Sequence, residues 1–133
     1  MAGITLLELM TVVVVVGVLS MIALPSYRQY VVRAQRTEAK AALLQLATSQ
    51  ERFYLANRTY SADPEQLGFS DDRTERGTYA LAIAGADATG YVATATPRAA
   101  AARDMTRDEQ CTSFSITEAG VRTATGSAAA NCW

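Results

Sequence analysis

Few residues in this chain could do chemistry, and their spacing narrows what that chemistry is. Glu8 is the single charge between Ile4 and Leu24, in a run otherwise built of Leu, Val, Met, Ile, Ala and a few small polar residues. A carboxylate five residues into such a run costs about 2.5–3.5 kcal/mol on bilayer insertion, so it calls for a cationic partner. Cys111 and Cys132 are the only cysteines. An even pair downstream of an apolar segment points to a disulfide in an oxidising compartment. With no histidine and no further cysteine, a zinc site is not expected. Asp104, Asp108 and Glu109 form a small acidic cluster. They lack the spacing of a calcium loop and fall short of six to eight oxygen ligands, so they read as a solvated loop. The absence of histidine also removes the usual Ser–His and Cys–His pairs, and neither a Gly-rich phosphate loop nor an HExxH motif occurs. The chain reads as a non-enzyme that needs no cofactor or metal.

The elements that must position these residues follow from periodicity. As a helix, Ile4–Leu24 would measure roughly 32 Å, enough to cross a bilayer's hydrocarbon core. A cleaved secretory signal is disfavoured, because Met1–Ala2 supply no basic region and the residues around Pro25 no small-x-small cleavage site. Gly17 and Pro25 bracket the weak part of this helix, at costs of about 1 and 3 kcal/mol. Residues 26–56 turn amphipathic, with Ala39, Ala42, Leu43, Leu46, Phe53 and Tyr54 at helical spacing. Tyr27, Tyr30, Val31 and Ala34 extend that stripe toward the apolar end, and its expected role is packing beneath a sheet. Residues 57–77 carry turn chemistry in Asp63, Pro64, Gly68, Asp71, Asp72 and Gly77.

Beyond residue 77 the period becomes two. Residues 79–83 and 91–96 read as one hairpin, and 112–117 with 121–125 as a second across Glu118–Gly120. Residues 98–110 are left open between a helical turn and a loop. The fold class is therefore α+β: a long N-terminal helix packed against a four-stranded antiparallel sheet over 78–125. A disulfide-bounded region, 111–132, closes it and ties down the tail. That bond would contribute about 3 kcal/mol by the loop-entropy model.

The residues Gly3-Ile4-Thr5-Leu6-Leu7-Glu8-Leu9, followed by an apolar run and Ala23-Leu24-Pro25-Ser26-Tyr27, resemble the class III signal and first helix of type IV pilins. Residues 36–47, Gln50–Tyr54, Asn57–Tyr60 and the closing Cys132-Trp133 are similar to PilE-type pilins of Gram-negative bacteria. The resemblance implies a leader, 1–3, cut after Gly3 by a prepilin peptidase, with N-methylation of Ile4. It implies assembly roles for Thr5 and Glu8, the latter neutralising the new ammonium of a neighbouring Ile4. It implies residues 4–25 as a transmembrane and filament-core helix, residues 26–133 as a globular head, and melting of Gly17–Pro25 in the filament.

The expected function is a structural subunit of a type IV pilus, of the minor kind, serving adhesion, twitching motility or DNA uptake. Its expected partners are other pilin subunits, the prepilin peptidase, the pilus assembly platform and the inner membrane, before export to the cell surface of a Gram-negative bacterium. A type II secretion pseudopilin shares the N-terminal signature, but the disulfide-bounded C-terminus argues against it.

A DNA-binding competence pilin needs an exposed basic stripe with stacking groups. Arg98, Arg103, Arg107 and Arg122 offer one, interleaved with Asp104, Asp108 and Glu109. The net charge of -1 gives no global bias toward nucleic acid, yet residues 25–58 are net +4 and residues 59–133 net -4. This polarity suits stacking between subunits as well as it suits a solvated helix face. One conflict stands. Arg28, Arg33 and Arg36 follow the apolar run with no basic residue before it, which by the positive-inside rule would place the head in the cytoplasm. Cysteine usage and the pilin resemblance place it outside. Asn57-Arg58-Thr59 matches a glycosylation sequon, a three-residue pattern of little weight.

Overall fold

The computed structural model describes residues 3–98 and 108–133. Its organising element is α1, Leu6–Asn57, a continuous helix of 52 residues. Thr5 caps its start in an extended conformation, and its hydroxyl accepts the Glu8 N–H. Arg58 ends it in the left-handed region at φ 60°, donating its N–H to the Tyr54 carbonyl. Pro25 lies inside the helix, and neither it nor Gly17 interrupts it.

Four strands follow as an antiparallel meander: β1 (Tyr79–Ala84), β2 (Val92–Pro97), β3 (Ser113–Thr117) and β4 (Arg122–Thr125), in spatial order 1-2-3-4. Register pairs Leu81 with Ala95, Ala95 with Phe114 and Phe114 with Ala124. One row of side chains thus crosses the whole sheet on the face that meets α1. Helix residues Ala39, Leu43, Leu46 and Gln50 answer that row at spacings of four, three and four, all fully buried. Burying a leucine or phenylalanine stabilises by about 1.5–3 kcal/mol, so Leu43, Leu46 and Phe114 hold much of the head together. The outer face of the sheet carries Thr94, Ser115 and Thr123, whose small polar side chains need no cover.

The connection between α1 and β1 is anchored rather than loose. It contains a single 3-10 turn, Glu65–Leu67, that buries Leu67. Residues 72–74 then pair along the outer edge of β1, where the Leu81 N–H reaches the Asp72 carbonyl and the Thr74 N–H the Tyr79 carbonyl. This covers an otherwise open sheet edge. After β4 a short 3-10 turn, Ala129–Asn131, returns the tail so that Cys132 bonds Cys111. Gly126 makes the return possible. At φ 130° it passes so close to the Gln110 carbonyl that any Cβ would lie 2.2 Å from that oxygen. Trp133 then stacks edge-on against Phe114 and donates to the Thr123 carbonyl. The expected fold class, including the disulfide, is the one observed.

The amphipathic stripe is shorter than its periodicity suggests. Tyr27 and Tyr30 are 67% and 72% exposed, because the sheet starts only at the level of Arg36 and Lys40. The segment left between a helical turn and a loop falls mostly within 99–107, outside the described residues.

Candidate functional site

At the start of α1 the structure brings four of the candidate residues into little more than one turn. Gly3 and Ile4 precede the helix and are exposed; Thr5 is its cap; Glu8 lies in its first turn. Thr5 and Glu8 have the spacing of a capping box, with the Glu8 N–H 3.2 Å from the Thr5 hydroxyl. The helix dipole also favours a carboxylate here, so Glu8 has a local structural role beside any role between subunits. Above it, the large apolar side chains from Ile4 to Leu24 are 53–80% exposed. This stretch is long and apolar enough to span a membrane, and none of it is buried inside the subunit. Glu8 thus sits on an apolar rod that has no cover of its own. Cys111 and Cys132 belong to the head, remote from this end in sequence and in the fold.

In the head, the best-built polar site is one that spacing did not reveal. Arg36 on α1 grips Asp108 with two bonds, Nε to Oδ2 at 2.5 Å and Nη2 to Oδ1 at 2.8 Å. The same Oδ1 accepts the backbone N–H groups of Gln110 and Cys111. Burial alone would raise the Asp108 carboxyl, but Arg36 and those N–H groups outweigh it and hold it below the usual carboxylate range. Burial, reinforced by Asp108, pushes the neighbouring Tyr79 phenol up to about 12. Asp108 is therefore not part of a solvated acidic loop. It is the clasp that fastens the disulfide region to the helix. Asp104 lies outside the described residues, and among the described residues no group of acidic and cysteine side chains is placed to hold a metal.

Two further clasps were missed by sequence reasoning. The fully buried Gln50 amide closes a ring with the Ser61 backbone, donating to its carbonyl at 2.6 Å and accepting its N–H at 2.9 Å. A signal existed, since Gln50 continues the phase of Ala39, Leu43 and Leu46. Glu38 accepts from the Arg76 N–H and the Thr78 hydroxyl, pinning the turn before β1. Nothing in the sequence marks that contact across 38 or more residues.

Between the helix face and residues 68–76 runs an open groove of about 890 Å³. Tyr30, Arg33, Ala34 and Ala42 form its floor, and Arg73 and Arg76 its wall. Its arginines are offset by Glu38 and Glu75 within the groove, and Arg73 pairs with Asp71 at 3.3 Å. Of the basic stripe proposed for DNA, the described residues include two members, and these stand apart. Arg98 follows β2 beside Gly77, while Arg122 opens β4 at the other end of the sheet and rests on the Trp133 ring, 5.5 Å from its centre. Arg103 and Arg107 lie outside the described residues.

The chain has relatives among known proteins. The family described as type IV minor pilin ComP, DNA uptake sequence receptor, matches residues 25–115. The type IV major pilin protein PilA of Myxococcus xanthus is 36% identical over 85 residues, covering 64% of this chain and 39% of that protein. The chain spans about half the length, or less, of such curated relatives. Among solved structures, a type IV pilin from Shewanella oneidensis aligns with a TM-score of 0.53 at 26% identity, covering 77% of this chain and 97% of that one. The Neisseria meningitidis non-core minor pilin PilV aligns with a TM-score of 0.56 at 19% identity, covering 73% and 89%, and shares the fold. With a match that spans well over half its length, this chain belongs to the ComP-type family of type IV minor pilins.

Proposed function

We propose that this chain is a filament subunit that assembles through the first half of α1. The observation that carries this reading is the uncovered apolar rod of residues 4–24, attached to a head that already has its own core and leaves that rod no partner. In the membrane before assembly, lipid covers the rod; in the filament, the rods of neighbouring subunits do. Hydrolysis of the Gly3–Ile4 bond by a prepilin peptidase frees the Ile4 amine, to which the peptidase transfers a methyl group from a methyl-donor cosubstrate, leaving an N-methylammonium. Glu8 of an adjacent subunit, exposed on its first turn, then neutralises that charge. Paired, the two ions are tolerated in an apolar core; alone, either is costly. The assembly platform of a Gram-negative inner membrane is the machinery this route requires, and the cell surface its end point.

The decisive variant is Glu8→Gln. Glutamine suits the third position of a capping box, so the helix and its membrane insertion survive while the charge is removed. The expected result is a stable, inserted subunit that enters filaments at least tenfold less often, scored by the ratio of sheared surface protein to membrane protein. Normal entry would contradict the electrostatic docking step.

DNA uptake is the second reading, and the description of the matching family favours it over adhesion or motility. Arg58, exposed at the end of α1, Arg98 just after β2 and Arg122 at the start of β4 are its candidate phosphate contacts. A gel shift at low salt that weakens when these three become glutamine would support it, and no binding at low salt would remove it.

A further inference from the structure

Just beyond the apolar rod, α1 carries Tyr27, Arg28, Tyr30 and Arg33, with no acidic residue before Glu38. The sheet stops short of this stretch, residues 68–76 flank Tyr30 and Arg33 across the groove, and both tyrosines still stand out from the helix among its most exposed large side chains. Tyr27, Tyr30 and Ala34 share a face by their spacing of three and four, and Arg33 is exposed at the lower mouth of the groove. Large aromatic rings with polar tips beside guanidinium groups, directly after an apolar span, make an interfacial anchor. The rings suit the hydrocarbon boundary and the cations suit lipid phosphates.

We propose that Tyr27, Tyr30 and Arg33 form a girdle that binds the headgroups of an anionic bilayer on the side of the head, and so sets the depth of the helix before assembly. The proposal rests on the membrane stage of the reading above. Arg33, one of the arginines that run against the positive-inside rule, thereby finds a binding role in the leaflet beneath the head.

The depth has a consequence for Glu8. Nineteen helical residues separate it from Tyr27, roughly 29 Å at 1.5 Å per residue, close to the ~30 Å thickness of the hydrocarbon core. A girdle held at one boundary therefore places Glu8 at the other. The carboxylate that would be costly at the bilayer centre then waits in a hydrated layer.

The test uses the full chain in phosphatidylcholine vesicles doped with spin-labelled phosphatidylglycerol or spin-labelled phosphatidylcholine. Insertion is scored first by resistance to alkaline extraction. The motionally restricted lipid is expected to favour phosphatidylglycerol by about fivefold or more, and Arg33→Gln to remove about fivefold of that preference. A second readout gives depth. Both native cysteines are in the disulfide, so a nitroxide on Leu9→Cys reports alone. Its exposure to a polar relaxation agent should be high in the parent. It should fall by at least half when Tyr27→Ala, Tyr30→Ala and Arg33→Gln are combined. Equal restriction of the two lipids, or an unchanged label, overturns the girdle while leaving the membrane stage intact. Restriction lost because chains pair through the tyrosine face overturns it too, in favour of a second copy. A chain that fails to resist extraction overturns the membrane stage itself.

Discussion

Asp108 shows how much of the head hangs on one side chain. It takes two bonds from Arg36 and two from the backbone at the entrance to the disulfide region, and its side chain is 5% exposed. Asp108→Asn keeps the shape but removes the charge and turns one acceptor into a donor facing Arg36. We expect a loss of about 2–3 kcal/mol, read from urea unfolding near neutral pH. The pH dependence carries a sign. Because the folded carboxyl titrates below its ordinary value, its stabilisation is full above about pH 4 and is lost as pH falls through the lower, folded value. The parent should therefore lose more stability than Asp108→Asn as the pH falls below about 4. Parallel curves would mean that the pair is not coupled to folding. Arg36 and Asp108 lie 72 residues apart, so no local pattern announces them. Gln50 differs, since its place in the buried stripe was visible and only its polarity concealed its role.

At the scale of elements, what local pattern controls was readable and what distant partners control was not. The strands were legible because alternation along Tyr79–Ala84 and Ser113–Thr117 is tied to the pleat, and Gly120 and Pro97 punctuate it. The extent of the buried helix stripe was not. Periodicity gives the phase of a helix face, but the length of the sheet decides how far that face is covered, which left Tyr27 and Tyr30 outside. The continuity of α1 through Gly17 and Pro25 follows from its neighbours: one missing N–H and one glycine are outweighed by the turns on either side. The weakness should still be measurable. Pro25 cannot bond the Met21 carbonyl, at a cost of about 3 kcal/mol. We therefore expect amide protons of residues 17–24 to exchange fastest within α1 in micelles, and Pro25→Ala to slow them at least tenfold. Equal rates in the two proteins would count against the expected melting of this segment.

On the scale of the whole molecule, the chain carries a head with its own buried core and an apolar rod without one. The head is closed by the Cys111–Cys132 bond, with both cysteines fully buried and Trp133 held against Phe114 next to it. Cys132→Ser should lower head stability by about 3 kcal/mol, the loop-entropy value, and release the indole so that its fluorescence shifts to the red. Equal thermal stability with and without reductant would contradict this. The rod is stabilised only by what surrounds it, so the account stands or falls on where the mature chain is found and how it begins. The most direct measurement is intact mass and N-terminal sequencing of the protein in purified surface filaments. The expected chain starts at N-methylated Ile4 with its disulfide closed. A chain still starting at Met1, confined to the membrane and absent from filaments, would contradict it.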